Sequence, residues 1–268
     1  MKKSRLPAMP GTYTVIIICI VMYAAGFILP FKGSESEKLI LLGAFYKPFI
    51  LAGEYWRLIT AGFLHGSFIH IFFNIYAVMI IGRILEHRFG TWKYLLLMLG
   101  SNAGGYLFLL VMKGNTMAVG LSGALYGLMA SYIITVIRLG GWQIPALRSS
   151  LIQLVLINAC INFMPGIAYM VHIGGFISGA LLTLALDSSE MYRSMRVHAA
   201  AAFLIVFLFG IWYGAKNSYI YEHERYLGTD LRILTAEKEL GLGKYAENMA
   251  KKLDRVYGVQ YLEYIIGG

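Results

Sequence analysis

The chain has 268 residues, 58% of them hydrophobic and only 14% charged, where soluble domains carry about 25% charged residues. That balance excludes an ordinary soluble domain and implies a polytopic, all-α membrane helix bundle. The formal net charge of +9 would suggest nucleic acid in a soluble protein. Here the basic residues gather at the ends of apolar runs, where they orient a membrane protein, so no nucleic acid partner is expected.

A bilayer core takes roughly 20 apolar residues per helix. On that measure the expected spans are 12–29, 63–82, 92–112, 121–138, 147–163, 168–186 and 197–216. The first follows Lys2, Lys3 and Arg5 and resembles a signal peptide, but its apolar run from Tyr13 to Leu29 is long for one. It reads as an uncleaved anchor, and the lack of a long Arg- and Ser-rich presequence argues against organellar import. Between spans one and two, residues 30–62 mix charges with Phe45, Tyr46, Phe49, Tyr55 and Trp56, as suits the headgroup region. Cys19 and Cys160 lie in separate apolar runs and imply no disulfide framework.

A cytoplasmic N-terminus puts Lys2, Lys3, Arg5, Arg83, Arg88, Lys93, Arg138, Arg148, Arg193 and Arg196 inside. Lys32, Lys38, Lys47, Arg57 and Lys113 are then outside, a bias of ten against five. The expected domains are a cytoplasmic N-terminus (1–11), a six-span core (12–186), an inner loop with a seventh span (187–216), and an extracytoplasmic helical tail (217–268), in a bacterial cell membrane. In the tail, Thr229 or Asp230 is the expected cap of a helix ending at Gly241, followed by a helix with Tyr245, Met249, Leu253 and Val256 on one stripe. The tail reads as a separate hairpin or spacer, with no partner assigned.

This topology runs spans two, four and six from outside to inside. His70 and Asn74 lie near the start of span two, Ser122 at the start of span four and His172 near the start of span six. Polar side chains in a bilayer mark function by default, and these four share one shallow depth. Gly123 and Gly127, and Gly175 and Gly179, form small-xxx-small pairs that let helix backbones approach closely. Ordinary helix packing would account for a lone serine beside such glycines, but not for a serine and histidine in register with both pairs.

Acyl transfer needs a nucleophile, a base and an oxyanion site. Ser122 would attack, His172 would act as general base and acid, and the Ser122 backbone N–H, His70 and Asn74 would serve the oxyanion. From His87 to Leu186 there is no Asp or Glu, so a Ser-His-Asp triad is not expected and another group must orient His172. Tyr126, one turn below Ser122, is either an ordinary core aromatic or a ring packed on the imidazole. The acid-free stretch also argues against an aspartyl protease, and no His-Glu-x-x-His or Ser-x-x-Lys motif occurs. A metal shared by His65, His70 and His172 would lack a carboxylate or thiolate, so neither metal nor cofactor is expected.

In order, the chain carries Trp56-Arg57, His65-x4-His70-x3-Asn74, Gly82-x3-Glu86-x3-Gly90, Gly120-x-Ser122-Gly123 and His172-x2-Gly175-x3-Gly179. On these motifs residues 12–186 resemble the six-span core of the rhomboid intramembrane serine proteases, with one added C-terminal span. The resemblance implies a Ser122–His172 dyad with His70, Asn74 and the Ser122 amide around the oxyanion. It implies Tyr126 beneath the histidine, Gly120, Gly123, Gly175 and Gly179 in support, and structural roles for Trp56, Arg57 and Glu86. The implied partners are the lipid bilayer and transmembrane protein substrates cut near their outer end. The alternatives are a rhomboid-like pseudoprotease that binds membrane helices without cleavage, and a transporter or channel. The latter would predict ionisable residues near the midplane or paired broken helices, and neither is evident.

Overall fold

A computed structural model describes residues 9–112, 117–164, 166–190, 193–217 and 224–267. Lys2, Lys3, Arg5, Lys113 and Pro165 lie outside the described residues. The protein is a helical membrane bundle. The long apolar helices are α1 (Pro10–Ile28), α5 (Phe68–Phe89), α6 (Thr91–Val111), α9 (Tyr169–Leu186) and α10 (Arg193–Asn217). Two further apolar helices, α7 (Ser122–Arg138) and α8 (Pro145–Ile161), have 17 residues each, about 26 Å at 1.5 Å per residue and within the spanning range.

The expected second span, 63–82, is displaced. Ser67 caps α5 by accepting a hydrogen bond from the His70 amide, so the chain from Leu64 to Gly66 stays outside the helix. At the other end α5 runs past Gly82, where the missing Cβ leaves room for the Tyr94 hydroxyl and the Thr12 side chain, and stops at Gly90 with φ +77°. Glu86, near this end, accepts from the Gly11 and Thr12 amides and from the Thr12 and Thr91 hydroxyls at 2.7–2.8 Å. One carboxylate thereby joins the starts of α1 and α6 to the end of α5.

The ends of α5, α7 and α9 meet at Asp187, which accepts from Arg88 at 2.7 Å and Arg138 at 2.6 Å. At the centre, α7 lies on α9 and both lie on α6. A Cβ on Gly175 would strike the Gly123 backbone, one on Gly179 the Gly127 backbone, and one on Gly105 the Val171 carbonyl. The helices touch main chain to main chain, as small residues permit in lipid.

Residues 30–62 fold into α2 (Glu35–Leu41), β1 (Phe45–Tyr46), α3 (Lys47–Leu51) and α4 (Arg57–Thr60). A capping box between Ser34 and Glu37 starts α2. Arg57, fully buried, pairs with Glu54 and donates to the Ile40 and Ala44 carbonyls at 2.6 and 3.0 Å, while Trp56 lies half-exposed over its guanidinium. β1 pairs antiparallel with β2 (Met117–Ala118), which leads into α7.

The tail forms α11 (Glu224–Glu239), α12 (Gly243–Tyr257) and α13 (Leu262–Gly267). It is not a detached spacer. Ile233, Leu234, Met249, Leu253 and Ile266 share one core with Ile40, Tyr46, Phe49 and Leu64. Asp230 is not a cap: it is buried inside α11 and accepts from the Tyr46 hydroxyl at 2.8 Å and from Tyr257. The expected stripe on α12 is rotated, so Met249 and Leu253 are buried with Ala246 and Ala250 while Tyr245 is exposed.

Candidate active site

Three helices begin at one end of the bundle and bring polar groups to one cavity. His70 is the third residue of α5, Ser122 the first of α7 and His172 the fourth of α9. With Tyr106, Met117–Val119 and Gly166–Ala168 they line a space of about 200 Å³. Because β2 borders this space and pairs with β1, the 30–62 segment and the tail stand on the same side of the bundle as Ser122.

Ser122 opens α7, so its backbone N–H belongs to the first turn, where no intrahelical acceptor exists. Its Oγ lies 2.8 Å from His172 Nε2. The Tyr126 ring stacks on the imidazole with centroids 4.1 Å apart and planes 8° from parallel. This contact follows from geometry: Tyr126 is one turn along α7, and the α7–α9 glycine contacts bring the two backbones close enough for ring to meet ring. The Tyr126 hydroxyl donates to the Asn158 carbonyl at 2.8 Å.

Gly120 sets the entrance to α7. Its φ of +122° suits glycine, and a Cβ there would displace the His70 ring. Its amide donates to the Ala61 carbonyl at 3.0 Å, and its carbonyl accepts from the Tyr106 hydroxyl at 2.9 Å. His70 also meets His65 edge-on at 4.9 Å between ring centroids. His65 precedes α5, is buried, and flanks His70 rather than the serine.

Asn74 stands apart from this group. Its Nδ2 donates to the His70 carbonyl of its own helix at 2.7 Å, and it is not among the residues lining the cavity. Its Oδ1 is buried without a hydrogen-bond partner.

Sequence reasoning named no role for Asn162. Its Oδ1 lies 2.5 Å from His172 Nδ1, on the ring edge opposite Ser122. The available signal was a polar side chain at the outer end of an apolar run. No periodicity relates it to His172, because a turn separates α8 from α9.

The serine, with a hydrogen bond to an imidazole that is itself oriented on two sides, has the constellation of acyl transfer. The family model described as the Rhomboid domain matches residues 52–189, which contain every group above. RHOMBOID-like protein 6, mitochondrial, of Arabidopsis thaliana is 35% identical over 183 residues, covering 65% of this chain and 59% of that protein. The rhomboid protease GluP of Bacillus subtilis is 28% identical over 210 residues, 77% of this chain and 41% of that protein. The rhomboid protease AarA of Providencia stuartii is 25% identical over 248 residues, 82% of this chain and 88% of that protein. The chain thus spans about half the length of the first two of these relatives. With the Rhomboid domain matched across its central helices, the chain belongs to the rhomboid family.

Proposed function

We propose that the protein is an intramembrane serine endopeptidase that cleaves transmembrane segments of other membrane proteins near their outer end. The observation that carries this reading is the 2.8 Å contact between Ser122 Oγ and His172 Nε2 in a cavity at the helix starts. The protease names of the bacterial relatives support it.

Ser122 Oγ attacks the substrate carbonyl carbon as its proton passes to Nε2 of His172. The carbonyl oxygen becomes negative and draws on the Ser122 amide and His70. Asn74 joins them by turning its amide away from the His70 carbonyl. The C–N bond breaks, the imidazolium gives its proton to the departing amine, and an acyl-enzyme remains. Water, deprotonated by His172, attacks the ester and releases the acid and free Ser122. No cofactor or metal takes part.

A helical substrate hides its carbonyls, so the segment must unwind locally, which helix-weak residues such as glycine and proline ease. Entry is lateral, beside α8, and residues 162–164 cap the site. The basic-residue asymmetry supports a cytoplasmic N-terminus and an outer tail, and the rhomboid proteases of Bacillus subtilis and Providencia stuartii support a bacterial cell membrane. On that orientation water reaches Ser122 from the outer side.

The test uses purified protein and a test substrate carrying one transmembrane helix. Ser122→Ala and His172→Ala are expected to lower cleavage by about 10⁴-fold or more while unfolding like the wild type. A fluorophosphonate is expected to label Ser122. Cleavage retained in Ser122→Ala would overturn the reading, and substrate binding without turnover by the wild type would select the pseudoprotease instead.

A further inference from the structure

The base has two nitrogens, and the hydrolytic reading uses only one. Nε2 faces Ser122, and Nδ1 faces Asn162 Oδ1 at 2.5 Å. An amide oxygen can only accept, so the proton in this contact belongs to Nδ1, and Nε2 is left with the lone pair that a general base requires. Asn162 stands where an acid would stand in a triad, in a chain with no Asp or Glu from His87 to Leu186.

A second contact comes from the same helix. Asn158, one turn earlier and on the same face of α8, accepts from the hydroxyl of Tyr126, the ring beneath the imidazole. The outer turn of α8 therefore holds both members of the stacked pair. Only Leu151 of α8 is buried, so polar contacts rather than a packed seam tie its outer end to the site.

We infer that Asn162 is a positioning residue for the base: it holds His172 in the Nδ1–H tautomer and aims Nε2 at Ser122, so that the outer end of α8 sets the competence of the dyad. This rests on the hydrolytic reading for its kinetic consequences, though not for the tautomer itself. When Nε2 takes the serine proton, the neutral amide stabilises the imidazolium less than a carboxylate would. Among the described residues, the titratable groups beside the ring are His70 from α5 and Tyr106 from α6, which line the cavity, and Tyr126 from α7, which stacks on the imidazole.

The experiment compares wild type, Asn162→Ala and Asn162→Asp as full-length protein in detergent. In Asn162→Ala, kcat is expected to fall by about 10- to 100-fold, the scale of one lost buried hydrogen bond, with KM and unfolding temperature little changed. Fluorophosphonate labelling of Ser122 is expected to slow by the same factor. Asn162→Asp is expected to restore kcat and move the acid limb of the kcat/KM profile to higher pH, because a carboxylate favours the imidazolium. A residue that merely packed the loop would produce neither the rescue nor the moved limb. Independently of turnover, 15N spectra of histidine-labelled protein are expected to show a protonated Nδ1 on His172 in the wild type and a tautomer mixture in Asn162→Ala. The His172 signal is identified by its loss in His172→Gln. Wild-type kcat and an unchanged tautomer in Asn162→Ala would overturn the inference. Loss of the tautomer preference in a protein that neither cleaves nor labels would support Asn162 while refuting hydrolysis.

Discussion

Two regions of this molecule are held together in opposite ways. Where α7 meets α9 there is almost nothing between the backbones: Gly123 faces Gly175 and Gly127 faces Gly179. Where the tail meets the 30–62 segment, large side chains fill the space, with Phe49, Leu64, Ile233, Leu234 and Leu253 all fully buried. Lipid tails are as apolar as leucine, so within the bilayer helix association draws on close van der Waals contact, which small residues permit. Outside it, removing apolar surface from water drives the same result. Reducing side-chain volume should therefore damage the tail core, and adding it should damage the helix seam. The pair proposed as catalytic depends on the seam, since Ser122 and His172 can share a proton only while α7 and α9 stay this close.

Gly179→Val should have the largest effect. The added Cβ meets the Cα, carbonyl carbon and oxygen of Gly127, none of which can rotate away. Overpacking costs about 1–3 kcal/mol in cores that can adjust, and the upper end is a floor here. The expected outcome is loss of folded monomer on size-exclusion chromatography and loss of fluorophosphonate labelling. If Gly179→Val folds and labels like the wild type, the seam is not limited by backbone contact and the contrast between the regions fails.

The glycine spacing that forms this seam was legible in the sequence, because four-residue repeats on a helix describe a face whatever lies opposite. The serine and histidine were legible from depth, since each sits near the start of a span, while the tyrosine stayed open between ordinary core packing and a ring on the imidazole. Asn162 was not legible, because its partner lies ten residues on, across a turn whose path no periodicity describes. The second span was misplaced because length alone suggested a stop at Gly82. Its true end depends on Thr12, Tyr94 and Glu86 meeting across three helices. The tail's docking depended on residues nearly two hundred positions apart, such as Tyr46 and Asp230. Its amphipathic helices showed that a face must be covered, but not by what.

Leu253→Ala tests the other half of the comparison. Leu253 is fully buried between α12 and the 30–62 segment, and truncating such a leucine costs about 2–5 kcal/mol. The loss should be confined to the tail: amides of α11 and α12 exchange faster with deuterium, while those of α7 and α9 keep their protection. Equal loss of protection in both regions would show that they unfold as one unit and remove the distinction drawn from their packing.

The smallest expected effect is a pH dependence that only the tail core should show. Burial pushes the Asp230 carboxyl up from 3.8 to about 6, against the pull of its bonds from Tyr257 and Tyr46. Burial, and then the charge of Glu54, raise Glu237 from 4.5 to about 7. A carboxyl whose pKa is higher folded than unfolded binds its proton more tightly in the docked state. Docking is therefore favoured most below the unfolded values and loses that advantage as pH rises through the folded ones, here between about pH 4 and 7. Deuterium exchange in α11 should accelerate between pH 4.5 and 7.5 once corrected for the intrinsic pH dependence of exchange. Asp230→Asn keeps an acceptor for Tyr46 and should flatten part of this slope, leaving the part due to Glu237. The α7 and α9 helices carry no carboxylate between their glycine contacts, so their corrected protection should not fall as pH rises over the same range, and a parallel slope there would tie the stability of the seam to the docking of the tail.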